Sequence, residues 1–144
     1  MRISIGADHA GRTLLLAIRG HLNEHQHLVS EFIPEEGLSV DYPGFAVKVV
    51  HTILEKTADL GILICGTGHG MVMAANRFKG IRAVNCTHEL MARFARSHNN
   101  ANILCLGSRI VGESLALSII DGFLNETFTG GRHSRRIEQI DELT

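Results

Sequence analysis

Short apolar runs alternate along this chain with longer stretches in which apolar residues recur every three or four positions. The runs fall at Arg2–Gly6, His27–Phe32, Leu60–Ile64, Ile81–Val84 and Asn102–Leu106, lengths that suit strands. Between them, Ala10, Leu14, Ala17, Ile18, His21 and Leu22 mark one helical stripe. Ala46, Val49, Val50, Ile53 and Leu54 mark a second, and Leu115, Ile119, Ile120, Phe123 and Leu124 a third. Each stripe has one face to bury, and strands alternating with helices imply right-handed crossovers. The pattern therefore predicts a parallel sheet covered on both faces, a three-layer α/β sandwich. With no linker, repeat or low-complexity segment, residues 1–144 read as one domain. The break at Gly130-Gly131 opens a short C-terminal helix over about 132–142, with Arg132 and Arg136 one turn apart, placed to pack on a partner subunit.

Composition narrows the class. A chain of 144 residues with 44% hydrophobic and 20% charged residues suits one compact core. A formal net charge of −1, without a long basic run, gives little support for nucleic acid as a partner. Cys65, Cys86 and Cys105 lack Cys-x-x-Cys spacing, so neither a disulfide framework nor a thiolate zinc site is indicated, and a reducing compartment fits. Cys86 and Cys105 read as packing residues. No apolar stretch is long enough for a signal peptide or a membrane span, which makes the cytoplasm the default location, with no membrane partner. Among nine histidines, His21, His25 and His27 cluster around a helix end, His51 and His88 fall in helical segments, and no His-Glu-x-x-His motif occurs. Arg77 and Arg82 read as surface charges.

In parallel sheets of this kind, ligands bind beyond the carboxyl ends of the strands. There the chain places Asp8-His9-Ala10-Gly11, then Cys65-Gly66-Thr67-Gly68-His69-Gly70, then Gly107-Ser108-Arg109. A thiol, a carboxylate, a histidine and an arginine converge. Gly66, Gly68 and Gly70 let the backbone turn tightly and present several N–H groups to one point, and Met71 to Phe78 has helical spacing, so negative charge is favoured on a ligand or on Cys65. The loop lacks the Lys-Ser/Thr ending of a P-loop. It also lies after the wrong strand, with the wrong spacing, for a dinucleotide fingerprint.

Taken in order, Gly6-x-Asp8-His9-x-Gly11, Asp41-Tyr42-Pro43, Gly61 to Gly70, Ala74-Ala75-Asn76-Arg77, Gly80-Ile81-Arg82-Ala83, His98-Asn99-x-Ala101-Asn102, Gly107-Ser108-Arg109 and Gly130-Gly131-Arg132-His133 resemble the ribose-5-phosphate isomerase B family, within the wider RpiB/LacA/LacB group. The resemblance runs almost end to end. It implies a flavodoxin-like (Rossmann-like) five-stranded sheet of order 2-1-3-4-5, and a homodimer able to pair into a tetramer. It also implies an aldose–ketose isomerase of the pentose phosphate pathway that interconverts ribose 5-phosphate and ribulose 5-phosphate without a metal or other cofactor. By matching positions, Cys65 is the base that forms a cis-enediolate, Thr67 moves the proton between the two oxygens, and His98 opens the furanose ring. Asp8 and Tyr42 position the sugar, Gly66, Gly68 and Gly70 lend amides to the reacting oxygens, and Asn99 lies near the reacting end. His9, Arg109, Arg132 and Arg136 match phosphate-binding positions. Two departures stand out: Glu31 to Gly37, where many members carry an Asp-x-Gly-Thr-like turn, and His69, where the family commonly has an apolar or small residue.

His98 and Asn99 precede the fifth strand and so belong to its amino end, whereas Cys65 ends the third strand. Five strand residues at about 3.3 Å each separate the two edges by roughly 15 Å, too far to share one sugar. His98 is therefore expected to serve a partner's site, with Arg132 and Arg136 as further candidates to reach across. Two other functions fit the pattern: allose-6-phosphate or galactose-6-phosphate isomerase with the same chemistry, and a non-catalytic phosphosugar-binding module on the same fold.

Overall fold

In the computed structural model, which describes residues 1–143, every predicted run contributes a strand: β1 (Arg2–Ala7), β2 (Leu28–Phe32), β3 (Leu60–Cys65), β4 (Ala83–Asn85) and β5 (Ile103–Gly107). The helices are α1 (Arg12–Glu24), α2 (Tyr42–Leu54), α3 (His69–Ala75), α4 (Glu89–Ser97), α5 (Glu113–Leu124) and α6 (Arg132–Asp141). The fourth strand starts two residues later than its apolar run. The helix expected over Met71 to Phe78 begins at His69 and stops at Ala75.

All strand pairs are parallel, and the order across the sheet is β2-β1-β3-β5-β4. The expected order 2-1-3-4-5 is thus corrected in its last two positions. Length and burial explain the exchange. All five residues of β5 are buried, and Ile103, Leu104, Cys105 and Leu106 have no exposed surface, so this strand needs a neighbour on each side and cover on each face. β4 has only three residues, with Val84 and Asn85 partly exposed, which suits a short edge.

The two faces of the sheet carry separate cores. Ile3, Ile5, Ile62, Ile64, Leu104 and Leu106 pack with Leu15, Ile18, Leu22, Ala92, Ile119, Ile120 and Phe123 from α1, α4 and α5. On the other face, Leu63, Cys65, Ile103 and Cys105 meet Val49 and Val50 of α2, and Met71 and Ala75 of α3. Gly6 and Gly61 let α2 approach closely, since a Cβ at either would fall 2.8 Å from a methyl of Val49. That approach brings Tyr42, the first residue of α2, to the carboxyl edge of the sheet.

α4 divides its residues unusually. Ala92 and Ala95 face the core, while Leu90, Met91 and Phe94 remain substantially exposed. Cys86 and Cys105 are buried, as their packing role requires. Arg82 departs from the surface reading: it is partly buried, its Nε donating to Asn100 O at 3.0 Å and its Nη1 lying 3.5 Å from Asp141 Oδ2 on α6. Among the described residues no helix is long and apolar enough to cross a membrane.

Candidate active site

The residues at the carboxyl edge are held by backbone bonds between neighbouring strand ends. The Asp8 amide donates to Ile64 O (3.2 Å), the Ser108 amide to Cys65 O (2.9 Å) and the Arg109 amide to Gly66 O (3.0 Å). The ends of β1, β3 and β5 are thereby stitched side by side. Asp8 is 7% exposed, and its Oδ1 accepts from the Gly11 amide at 3.0 Å. The Val40 amide donates to His9 Nδ1 (3.2 Å), which fastens the segment after β2 to the end of β1. Arg12 Nη1 donates to Pro34 O in the same segment, so the Glu31 to Gly37 departure has a defined attachment.

Cys65 is 5% exposed, and the Gly68 amide donates to its Sγ at 3.2 Å. The geometry requires glycine at 68, where φ is +83°. The Arg109 guanidinium lies against Gly66, within 3.5 Å of where a Cβ would stand, and the Tyr42 ring occupies the space a Gly70 side chain would need. Thr67 is exposed, and its Oγ1 accepts from the His69 amide at 3.4 Å. Burial pushes the Cys86 thiol up to about 11, and pushes Cys105 well above the ordinary thiol range, with the neighbouring Cys65 and Cys86 acting in the same direction. Both stay protonated at neutral pH.

His98, Asn99, Arg132 and Arg136 are not with this group. Gly61 pairs with Ile103 and Cys65 with Gly107, so the start of β5 lies four residues, about 13 Å, below the thiol. His98 precedes that start. It follows the last turn of α4, its amide donating to Phe94 O, and its ring is stacked between Phe94 (4.7 Å between centroids) and His133 (4.4 Å). The His133 stack brings the first two turns of α6, with Arg132 and Arg136, to the same amino edge. His133 is held below the usual imidazole range by lost hydration, and by His98, Arg132 and Arg136.

The chain thus divides the candidate residues into two groups. Asp8, His9, Tyr42, Cys65, Gly66, Thr67, Gly68, Gly70 and Arg109 gather at the carboxyl edge; His98, Asn99, Arg132 and Arg136 gather at the amino edge. The carboxyl edge is open, with a concavity of about 300 Å³ around Ala10, Ser108 and Arg109. A larger groove of about 570 Å³ between α4 and α5 contains none of these residues. No group of three or more His, Cys, Asp or Glu side chains among the described residues is placed to hold a metal ion.

The Ribose/Galactose Isomerase family model matches residues 3–140. The chain belongs to the ribose/galactose isomerase family. Similar members of this family include ribose-5-phosphate isomerase B of Escherichia coli (strain K12), 42% identical over 142 residues that cover 99% of this chain and 95% of that protein. A Clostridium thermocellum ribose-5-phosphate isomerase B structure superposes with a TM-score of 0.98 at 47% identity, covering 99% of this chain and 97% of its own. A Mycoplasma genitalium ribose-5-phosphate isomerase B with bound ribulose-5-phosphate has a TM-score of 0.94 at 45% identity, over 99% of this chain and 95% of that one.

Two contacts beside the site residues have no signal in the sequence. His133 closes the Gly130-Gly131-Arg132-His133 motif without a role assigned to it, and its stacking on His98 depends on where α6 docks. Asn85 carries no motif at all, yet its Nδ2 donates to Thr67 O at 3.1 Å. Gly107 has a further duty, because a Cβ there would fall 2.7 Å from the Thr67 carbonyl carbon and oxygen. Gly107→Ala should displace the glycine loop and lower kcat by about 10²-fold, the scale of a 1 Å misplacement of reacting groups. Steady-state kinetics on the folded variant check this, and an unchanged kcat would show that the loop tolerates the shift.

Proposed function

We propose that this ribose/galactose isomerase interconverts ribose 5-phosphate and ribulose 5-phosphate by proton transfer through a cis-enediolate. The observation that carries the reading is the Cys65 thiol at the end of β3 with the Gly68 amide donating to its Sγ, in a chain 45% identical to a structure with bound ribulose-5-phosphate. As thiolate, Cys65 removes the C2 proton of the open-chain aldose. The electron pair moves into the C1–C2 bond, the carbonyl oxygen gains charge, and the proton returns to C1 as the ketose forms. Loop amides from Gly66 to Gly70 stabilise the charged oxygen, as backbone donors do where charge develops. Thr67 carries a proton between the oxygens on C1 and C2, while Asp8 and Tyr42 hold the sugar.

The far end of the substrate is a phosphate dianion. His9 and Arg109 contact it from one subunit, and Arg132 and Arg136 of the partner subunit from the other, since guanidinium pairs suit phosphate geometry. His98 of the partner subunit opens the furanose ring, with Asn99 of the partner subunit beside it. Two features support an active homodimer: the separation of the half-sites, and the exposed Leu90, Met91 and Phe94 on α4 next to His98, an apolar surface that a second copy would cover.

The test compares ribose 5-phosphate, allose 6-phosphate and galactose 6-phosphate as substrates of the purified protein, with a chelator present throughout. Faster turnover of the pentose is expected. Reaction of a hexose phosphate alone would keep the chemistry and change the substrate; no reaction with any of the three would leave phosphosugar binding without catalysis.

A further inference from the structure

We infer that Asn85 and His69 are positioning residues for Cys65: together they form a strut that keeps the Gly68 amide aimed at the thiol, and the strut holds only while His69 is neutral. Only the activity arm of its test rests on the isomerase reading. Asn85, at the end of β4, has two hydrogens on Nδ2 and directs both at the glycine loop. One goes to Thr67 O at 3.1 Å, the other to His69 Nδ1 at 2.7 Å. The bonded loop residues flank Gly68, whose amide donates to Cys65 Sγ.

The orientation of the Asn85 amide follows from the backbone. Turned end for end, it would set Oδ1 against the Thr67 carbonyl, two acceptors with no proton between them. In the orientation present, Oδ1 is buried without a partner and faces Gly68, 2.7 Å from where a Cβ would stand. An orphaned acceptor is costly in the interior and is tolerated here because both hydrogens on Nδ2 are engaged. His69 must then accept at Nδ1, which places its ring proton on Nε2. A protonated His69 would point a second donor at Asn85 and break the contact, releasing the loop and the amide that stabilises the thiolate.

The titratable and charged groups at this edge are Asp8 and His9 after β1, Tyr42 on α2, Cys65 on β3, His88 before α4 and Arg109 after β5. Among the described residues none of them hydrogen-bonds to the His69 side chain, so its link to the loop runs through Asn85.

The experiment follows the ultraviolet absorbance of the Cys65 thiolate against pH in the full-length protein without substrate, with Cys65→Ser as the blank. The buried Cys86 and Cys105 stay protonated over the neutral range and do not contribute there. Asn85→Leu should move the thiolate midpoint up by about one pH unit and lower kcat about tenfold, with KM within about twofold. The exposed His69→Leu should do the same without touching the core, and His69→Gln, whose amide oxygen can accept from Asn85, should restore the midpoint. It should also reduce the acid-side fall in kcat, which in the parent follows protonation of both Cys65 and His69, to the one-proton fall of Cys65 itself. Thiolate titrations of Asn85→Leu and His69→Leu that superimpose on the parent would overturn the strut, and an acid-side fall in His69→Gln as steep as the parent's would overturn its dependence on neutral His69. If the titration shifts while no form isomerises ribose 5-phosphate, the strut stands and the isomerase reading fails.

Discussion

Cys65→Ser should lower kcat for ribose 5-phosphate by about 10²–10⁴-fold, the range general acid–base groups contribute, while KM stays within about twofold. The hydroxyl is nearly isosteric with the thiol and can still accept from the Gly68 amide at 3.2 Å, so the loop keeps its shape. What it loses is acidity, because an alcohol is not ionised at neutral pH and cannot take the C2 proton as thiolate does. No other thiol can substitute. Cys105 is fully buried in β5, and burial holds Cys86 protonated up to about 11. Steady-state kinetics with isothermal binding of ribulose 5-phosphate separate loss of chemistry from loss of affinity. Wild-type turnover by the serine variant would remove Cys65 from the base role.

Mixing two inactive variants should restore activity. Cys65→Ala disables the carboxyl-edge half-site and His98→Asn the amino-edge half-site. In the proposed two-fold symmetric dimer each complete site would take one half from each subunit, so a mixed dimer would have one site with both defects and one with none. Random exchange makes half the dimers mixed, and specific activity should return to about a quarter of wild type. The geometry behind this expectation is the sheet register: Gly61 opposite Ile103 and Cys65 opposite Gly107 put about 13 Å between the thiol and the level where β5 begins. A side chain preceding β5 cannot span that height to a sugar seated on the Cys65 loop. Activity is followed after confirmed subunit exchange, and its failure to recover would overturn the site shared between subunits.

Much of the fold was legible because burial leaves a periodic trace. Strand β3 is buried along its whole length and reads as an unbroken apolar run; α1 is buried at Leu14, Leu15, Ile18 and Leu22 and reads as a stripe. The order of the last two strands was not legible. β4 and β5 are both short apolar runs, and either could sit beside β3 with a right-handed connection. What distinguishes them is how much of each must be covered, and that depends on the helices packed on both faces. α4 was equally quiet in sequence, because its large apolar residues, Leu90, Met91 and Phe94, point away from the protomer core.

The candidate site divides in the same way. The sequence by itself determined the glycine loop with its thiol, the strand ends that carry Asp8, His9 and Arg109, and the amino-end location of His98, because a parallel sheet puts the residues after every strand on one edge and those before every strand on the other. Only the tertiary structure decided that β5 lies between β3 and β4, that α6 returns to stack His133 on His98, and that Asn85 braces the loop beside Cys65. Each of these contacts joins segments far apart in the chain, where no local periodicity records the partner, and the choice is made by packing area and by the need to satisfy polar groups removed from water.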